Sequence, residues 1–285
     1  MRTEGERESD NVEDRRGFSI GRGGAIGGGA ILIAIVATLL GAPPEFVRSL
    51  LGGGSDGETR SVPNARPVDP ADNQRVTFVK VVLASTEDVW SAVLPSSGVR
   101  YRPPKLVLFS DQVDSACGLA GAAVGPFYCP RDARVYLDLS FFNELARRFG
   151  APGDFAQAYV IGHEVGHHVQ NLLGISARME DDRSRLSAAQ GNHLSVMMEL
   201  QADCLAGVWA YHANQTRHLL EPGDVEEALR AATAIGDDTL QKQARGRVMP
   251  ESFTHGSSAQ RVKWLRRGLD SGRVAQCDTF NTPSL

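Results

Sequence analysis

Charge of one sign is what this 285-residue sequence lacks most: 30 Lys and Arg stand against 34 Asp and Glu, a formal net charge of −4. That balance leaves no basic field to hold a polyanion, so no nucleic acid partner is expected. Cysteine is scarce too. Four are present, none in the paired Cys-x-x-Cys spacing of a zinc ribbon, which makes metal binding by cysteine the minor reading. No internal repeat is visible, which argues against a repeat architecture. Long apolar runs are missing except at one place near the start. What remains, 42% hydrophobic and 22% charged, is an ordinary globular balance. The length allows one generous domain or two small ones.

The single apolar run is Ala30 to Leu40, inside an uncharged stretch from Gly23 to Pro44. A bilayer needs about 20 residues of helix, and the longer stretch supplies them. Arg15, Arg16 and Arg22 precede it and Glu45 follows. The expectation is a transmembrane anchor over 23–44, with a cytoplasmic tail over 1–22 and the bulk of the chain extracytoplasmic. A cleaved signal peptide is the competing reading, but its charged region would be unusually long and no clean cleavage site follows. Residues 45–72, rich in Gly, Pro, Ser and Asp, read as a flexible linker. The folded domain then spans 73–285. In an oxidising compartment its cysteines can pair. Four allow three pairings, of which Cys117 with Cys129 and Cys204 with Cys277 is the simplest.

Within the domain, Val76 to Leu83 has strand composition, although a helix also tolerates its pattern. Thr86-Glu87-Asp88 reads as a cap for a helix from Val89 to Leu94. Lys105 to Phe109 and Arg134 to Leu139 read as strands. Helices are expected from Ser140 to Arg148, Phe155 to Leu173, Leu194 to Ala213, Pro222 to Ile235, and Ser257 or Ser258 to Arg267. Strands first and helices after make an α+β fold, a small N-terminal sheet followed by a mainly helical part.

Chemistry concentrates in His163-Glu164-Val165-Gly166-His167. Four residues apart on a helix, the two imidazoles share one face and can share one ion. Glu164 can then act on water without ligating the metal, the general-base arrangement of H-E-x-x-H. The pattern that supplies a third histidine soon after fails, because Gln170 and Leu173 occupy those places. Glu199 on the next long helix is the best third ligand, completing a His2Glu zinc site with a position left for water. Asp203, one turn on, can accept the free N–H of a ligating histidine. An arginine salt bridge is the alternative use of these carboxylates.

The residues carrying a family likeness are Ser9 to Gly17, the Gly-rich apolar segment, Ile161 to Gln170, Glu199 to Trp209 and Phe253 to Arg261. On them the chain resembles the YpfJ-type neutral zinc metallopeptidases through most of its length. The resemblance implies a zincin-like peptidase domain with a gluzincin metal site; the family's substrates do not carry over, and the expectation from the ligand set is one Zn2+ per chain acting on a peptide or protein. By the same analogy His255 is the donor to the tetrahedral oxyanion, and Arg261 a further group in the cleft. His168, about 100° around the helix from His167, is assigned to a supporting or surface role. The strand Arg134 to Leu139 would bind an extended peptide if it edged the cleft. The sequence thus points to a membrane-anchored zinc metalloendopeptidase. The rivals are a non-catalytic, membrane-tethered zinc-binding protein and a zinc hydrolase of another substrate. Nothing in it specifies an oligomeric state.

Overall fold

The computed structural model describes residues 1–17, 70–282 and 285. A four-stranded sheet runs in the order β1 (Val12–Asp14), β2 (Lys105–Phe109), β6 (Arg134–Asp138), β5 (Phe127–Cys129). β1 and β6 flank β2 in parallel, and β5 joins β6 antiparallel. β3 (Gln112–Ser115) and β4 (Gly118–Gly121) form a separate antiparallel hairpin. The period of two explains how the sheet is covered on both faces. Leu106, Leu108, Val135 and Leu137 enter the main core, while Val107, Phe109 and Tyr136 pack with Val113 and Cys129 beneath the hairpin. A Cys117–Cys129 disulfide ties that hairpin to β5.

Helices make up most of the remainder: α1 (Pro70–Val93), α2 (Ser140–Arg147), α3 (Asp154–Leu172), α4 (Ile175–Arg183), α5 (Ala188–Arg217), α6 (Asp224–Ala234), α7 (Asp237–Arg245) and α8 (Ser258–Ser271). The stretch expected to be a strand at 76–83 lies inside α1, as does the expected cap at 86–88. α5 and α8 touch through glycine. A Cβ on Gly207 would lie 2.3 Å from the Leu265 carbonyl oxygen, and one on Gly268 1.9 Å from that of Cys204. A Cys204–Cys277 disulfide fastens the C-terminal segment to α5.

Three expectations need correction. The α+β layering is present, but among the described residues no helix is long and apolar enough to cross a membrane, and the run 23–44 lies outside them. The single-pass placement, with the N-terminus and the domain on opposite sides, is overturned by β1. Val12, Glu13 and Asp14 pair with Leu106, Val107 and Leu108 in one sheet, so both segments occupy the same compartment. Arg16 and Asp72, on either side of the undescribed residues, approach to 3.6 Å. Arg15 and Arg16, which suggested a membrane flank, are engaged by Glu13 and Asp14. β6 in turn is no cleft edge, because β2 and β5 take up both its sides.

Candidate metal centre

The site begins with the close approach of α3 to α5. A Cβ on Gly166 would lie 2.9 Å from the backbone oxygen of Ala202, and one on Gly162 2.7 Å from the Trp209 ring. Glycine at these positions lets the face bearing His163 and His167 meet the face bearing Glu199. The ligand atoms of these three residues all lie within 4.8 Å of one another. His163 Nε2 is 3.1 Å and His167 Nε2 3.3 Å from separate oxygens of Glu199. Tetrahedral zinc with bonds of about 2.0–2.1 Å sets its ligand atoms roughly 3.3 Å apart. The donor set, two imidazoles and a carboxylate, also suits that ion.

Each imidazole is held at its other nitrogen. His163 Nδ1 lies 2.8 Å from Asp203 Oδ1, which also accepts from the Tyr159 hydroxyl at 2.6 Å. Arg261 grips the same carboxylate with two nitrogens, each at 2.9 Å. His167 Nδ1 lies 2.8 Å from Gln170 Oε1. Both Nε2 atoms therefore face Glu199.

The electrostatics favour positive charge at this point. Burial opposes a charged His163, but the Asp203 and Glu199 carboxylates outweigh it and push its pKa up to about 10. His167 is raised for the same reason, with Glu199 overcoming burial. Burial would raise Glu199, yet His167 and His163 hold it well below the usual carboxylate range. Glu164 differs. It is buried, no hydrogen bond to its carboxylate occurs among the described residues, and burial keeps its pKa raised despite the nearby histidines.

His255 sits on the loop before α8 with its side chain 38% exposed. Asp237, at the start of α7, organises that loop by accepting from the backbone N–H groups of Thr254, His255 and Gly256 at 2.7, 2.6 and 3.0 Å. Its other oxygen faces His255 Nδ1 at 3.2 Å. Burial works against a charged His255, but Asp237 and Glu199 raise its pKa.

The arrangement thus brings together His163, Glu164, His167, Glu199 and Asp203, with His255 within the electrostatic reach of Glu199. Arg261 clamps Asp203 from beneath. His168 instead bonds the Tyr128 hydroxyl and the Arg102 carbonyl, linking α3 to β5 and the loop before β2. The four cysteines are paired in two disulfides and offer no thiolate to a metal. Sequence reasoning missed Tyr159, Gln170 and Asp237. Gln170 and Tyr159 had a legible signal, three residues after His167 and four before His163 on one helix; Asp237 had none. Asp154, Asp224 and Glu227 also converge, but the Met1 ammonium already lies 3.0 Å from Asp154 and 3.2 Å from Asp224.

A family profile described as "Putative neutral zinc metallopeptidase" matches residues 1–280. The chain is 48% identical over 287 aligned residues to "Uncharacterized protein YpfJ" of Escherichia coli (strain K12), covering 98% of this chain and 99% of the relative. It is 46% identical over 228 residues to "Uncharacterized protein Rv2575" of Mycobacterium tuberculosis (strain ATCC 25618 / H37Rv), covering 75% of this chain and 74% of that one. No solved structure matches it significantly.

Proposed function

The chain belongs to this neutral zinc metallopeptidase family, and from that premise we propose that it hydrolyses peptide bonds at a single His163–His167–Glu199 zinc site, with Glu164 as general base. The observation that carries this reading is the convergence of both Nε2 atoms on the Glu199 carboxylate beside the buried Glu164, whose carboxylate has no hydrogen bond among the described residues. When bound, zinc supplies Lewis acidity, which acidifies water and polarises a carbonyl.

Glu164 takes the proton of the attacking water and passes it to the departing amine. Burial, by raising its pKa, suits it to both steps. His255, oriented through Nδ1 by Asp237, presents its other nitrogen to the tetrahedral oxyanion. Asp203 and Arg261 hold His163 in place without touching substrate. An extended peptide is read along β5, at the sheet edge beside α3, rather than along the enclosed β6.

Glu164→Gln provides the test. It should bind zinc with unchanged stoichiometry and hydrolyse a broad peptide library at least ~100-fold more slowly than the parent. Equal hydrolysis by the two proteins would remove Glu164 from the mechanism. Stoichiometric zinc with no cleavage by the parent would support a non-catalytic zinc protein instead.

A further inference from the structure

The two histidines are held by unlike partners, a carboxylate for His163 and an amide for His167, and the amide belongs to a directed chain. Gln170 is wholly buried. Its Nε2 donates to the Met198 carbonyl at 2.7 Å and to Gln201 Oε1 at 3.1 Å. Gln201 Nε2 donates in turn to the Cys277 carbonyl at 2.9 Å. Backbone carbonyls only accept, so Met198 and Cys277 fix the sense of both amides. Turning either one over would set oxygen against oxygen in a buried place. Gln170 must therefore offer Oε1 to His167, whose Nδ1 must donate. That leaves Nε2 as the lone pair aimed at Glu199.

We propose that Gln170 and Gln201 are positioning residues, an amide relay that selects which nitrogen of His167 binds the metal. The relay is anchored on the carbonyls of Met198, in α5, and Cys277, which the disulfide to Cys204 fastens to the same helix. α5 thus carries one ligand, Glu199, and through the relay also directs a second that belongs to α3. The inference rests on the zinc reading above and extends it.

Zinc dissociation constants from chelator competition test it, with unfolding of the zinc-free proteins measured in parallel. Gln170→Met keeps the length of the side chain and removes the amide; it should weaken zinc roughly 10- to 100-fold. Gln170→Glu keeps an acceptor toward His167 but turns an oxygen on the Met198 carbonyl and Gln201 Oε1, so it should recover only part of that loss. Gln201→Met should weaken zinc less, and the Gln170→Met/Gln201→Met pair should be no worse than Gln170→Met alone, because the two act in series. Unchanged affinity in Gln170→Met, equal losses in Gln170→Met and Gln170→Glu, or additive losses in the pair would each overturn the relay. If Gln170→Met does not fold, Gln201→Met alone decides, and unchanged affinity there overturns the proposal. Failure of the zinc reading looks different: the parent would bind no zinc, or His163→Ala would bind it equally well.

Discussion

Asp203 has no exposed surface, and it meets His163, Tyr159 and both gripping nitrogens of Arg261. It pairs a buried cation on one side while orienting His163, a proposed metal ligand, on the other, so substitution has two separable effects. Asp203→Ala would strand Arg261, which is 3% exposed; loss of one partner of a buried pair costs about 3–5 kcal/mol. It should also weaken zinc about 10- to 100-fold by freeing His163. Urea unfolding of the zinc-free protein reads the first effect and chelator competition the second. His168 shows how differently the neighbouring histidine is used. Its Nε2 donates to the Arg102 carbonyl at 2.6 Å, so its Nδ1 accepts from the Tyr128 hydroxyl. Burial lowers its pKa to about 4. A depressed histidine gives full stability above the unfolded value near 6.5 and loses it as pH falls toward 4. The loss amounts to about 3 kcal/mol. His168→Gln should remove that part of the acid sensitivity, seen as a smaller drop in the zinc-free urea midpoint between pH 7 and pH 4.5.

Between helices, the centre depends on how closely α3 approaches α5. Gly166→Ala would place a methyl 2.9 Å from the Ala202 carbonyl oxygen and 3.2 Å from its Cα, both backbone atoms that cannot swing aside. The helices must part slightly, at a cost of about 1–3 kcal/mol. Glu199 would move away from the two histidines, so zinc affinity should fall with stability. Calorimetric unfolding with and without zinc would show a smaller zinc-induced rise in Tm than in the parent; an undiminished rise would mean that the contact does not set the site. The elements differ in how far the sequence reveals them. β2, β6, α2, α3 and α8 carry clear turn, cap or alternation signals at their ends. α1 does not, because Val79, Val81, Val82, Leu83 and Ala84 are all buried and leave no period to separate strand from helix. Its 24-residue length, visible only in the structure, settles that ambiguity. β1 has three residues, and the glycines of β4 have no strand propensity, so both exist through pairing rather than composition.

At the scale of the whole molecule, the pairing of residues in the candidate site was legible because helical spacing places His163 with His167 and Glu199 with Asp203. Tyr159, Gln170 and Asp203 share those helices at the same spacing, whereas Arg261 and Asp237 come from remote segments that no local period connects. The N-terminal segment is the extreme case: a charge pattern that reads as a membrane flank is used to bind the domain. Ser9, Asn11 and Arg7 donate to Glu87 on α1 at 2.5, 2.7 and 2.9 Å. The Ser9 backbone N–H meets the Lys80 carbonyl, and that of Arg2 meets the Leu219 carbonyl. Glu87 is only 6% exposed. Without residues 1–16 Glu87 would lose these three donors together with the cover they provide, and β2 would become an open edge. Hydrogen bonds to a buried charge contribute about 1.5–3 kcal/mol each, so truncation should cost several kcal/mol and lower Tm markedly. The buried charge can be tested apart from the lost strand. Glu87→Met in the full chain breaks the three hydrogen bonds while keeping β1 and should destabilise, whereas in the truncated protein, where those bonds are already gone, the same substitution should cost much less. Stability unchanged by truncation, or Glu87→Met costing as much in the truncated protein as in the full chain, would show that the segment is not an integral part of the domain.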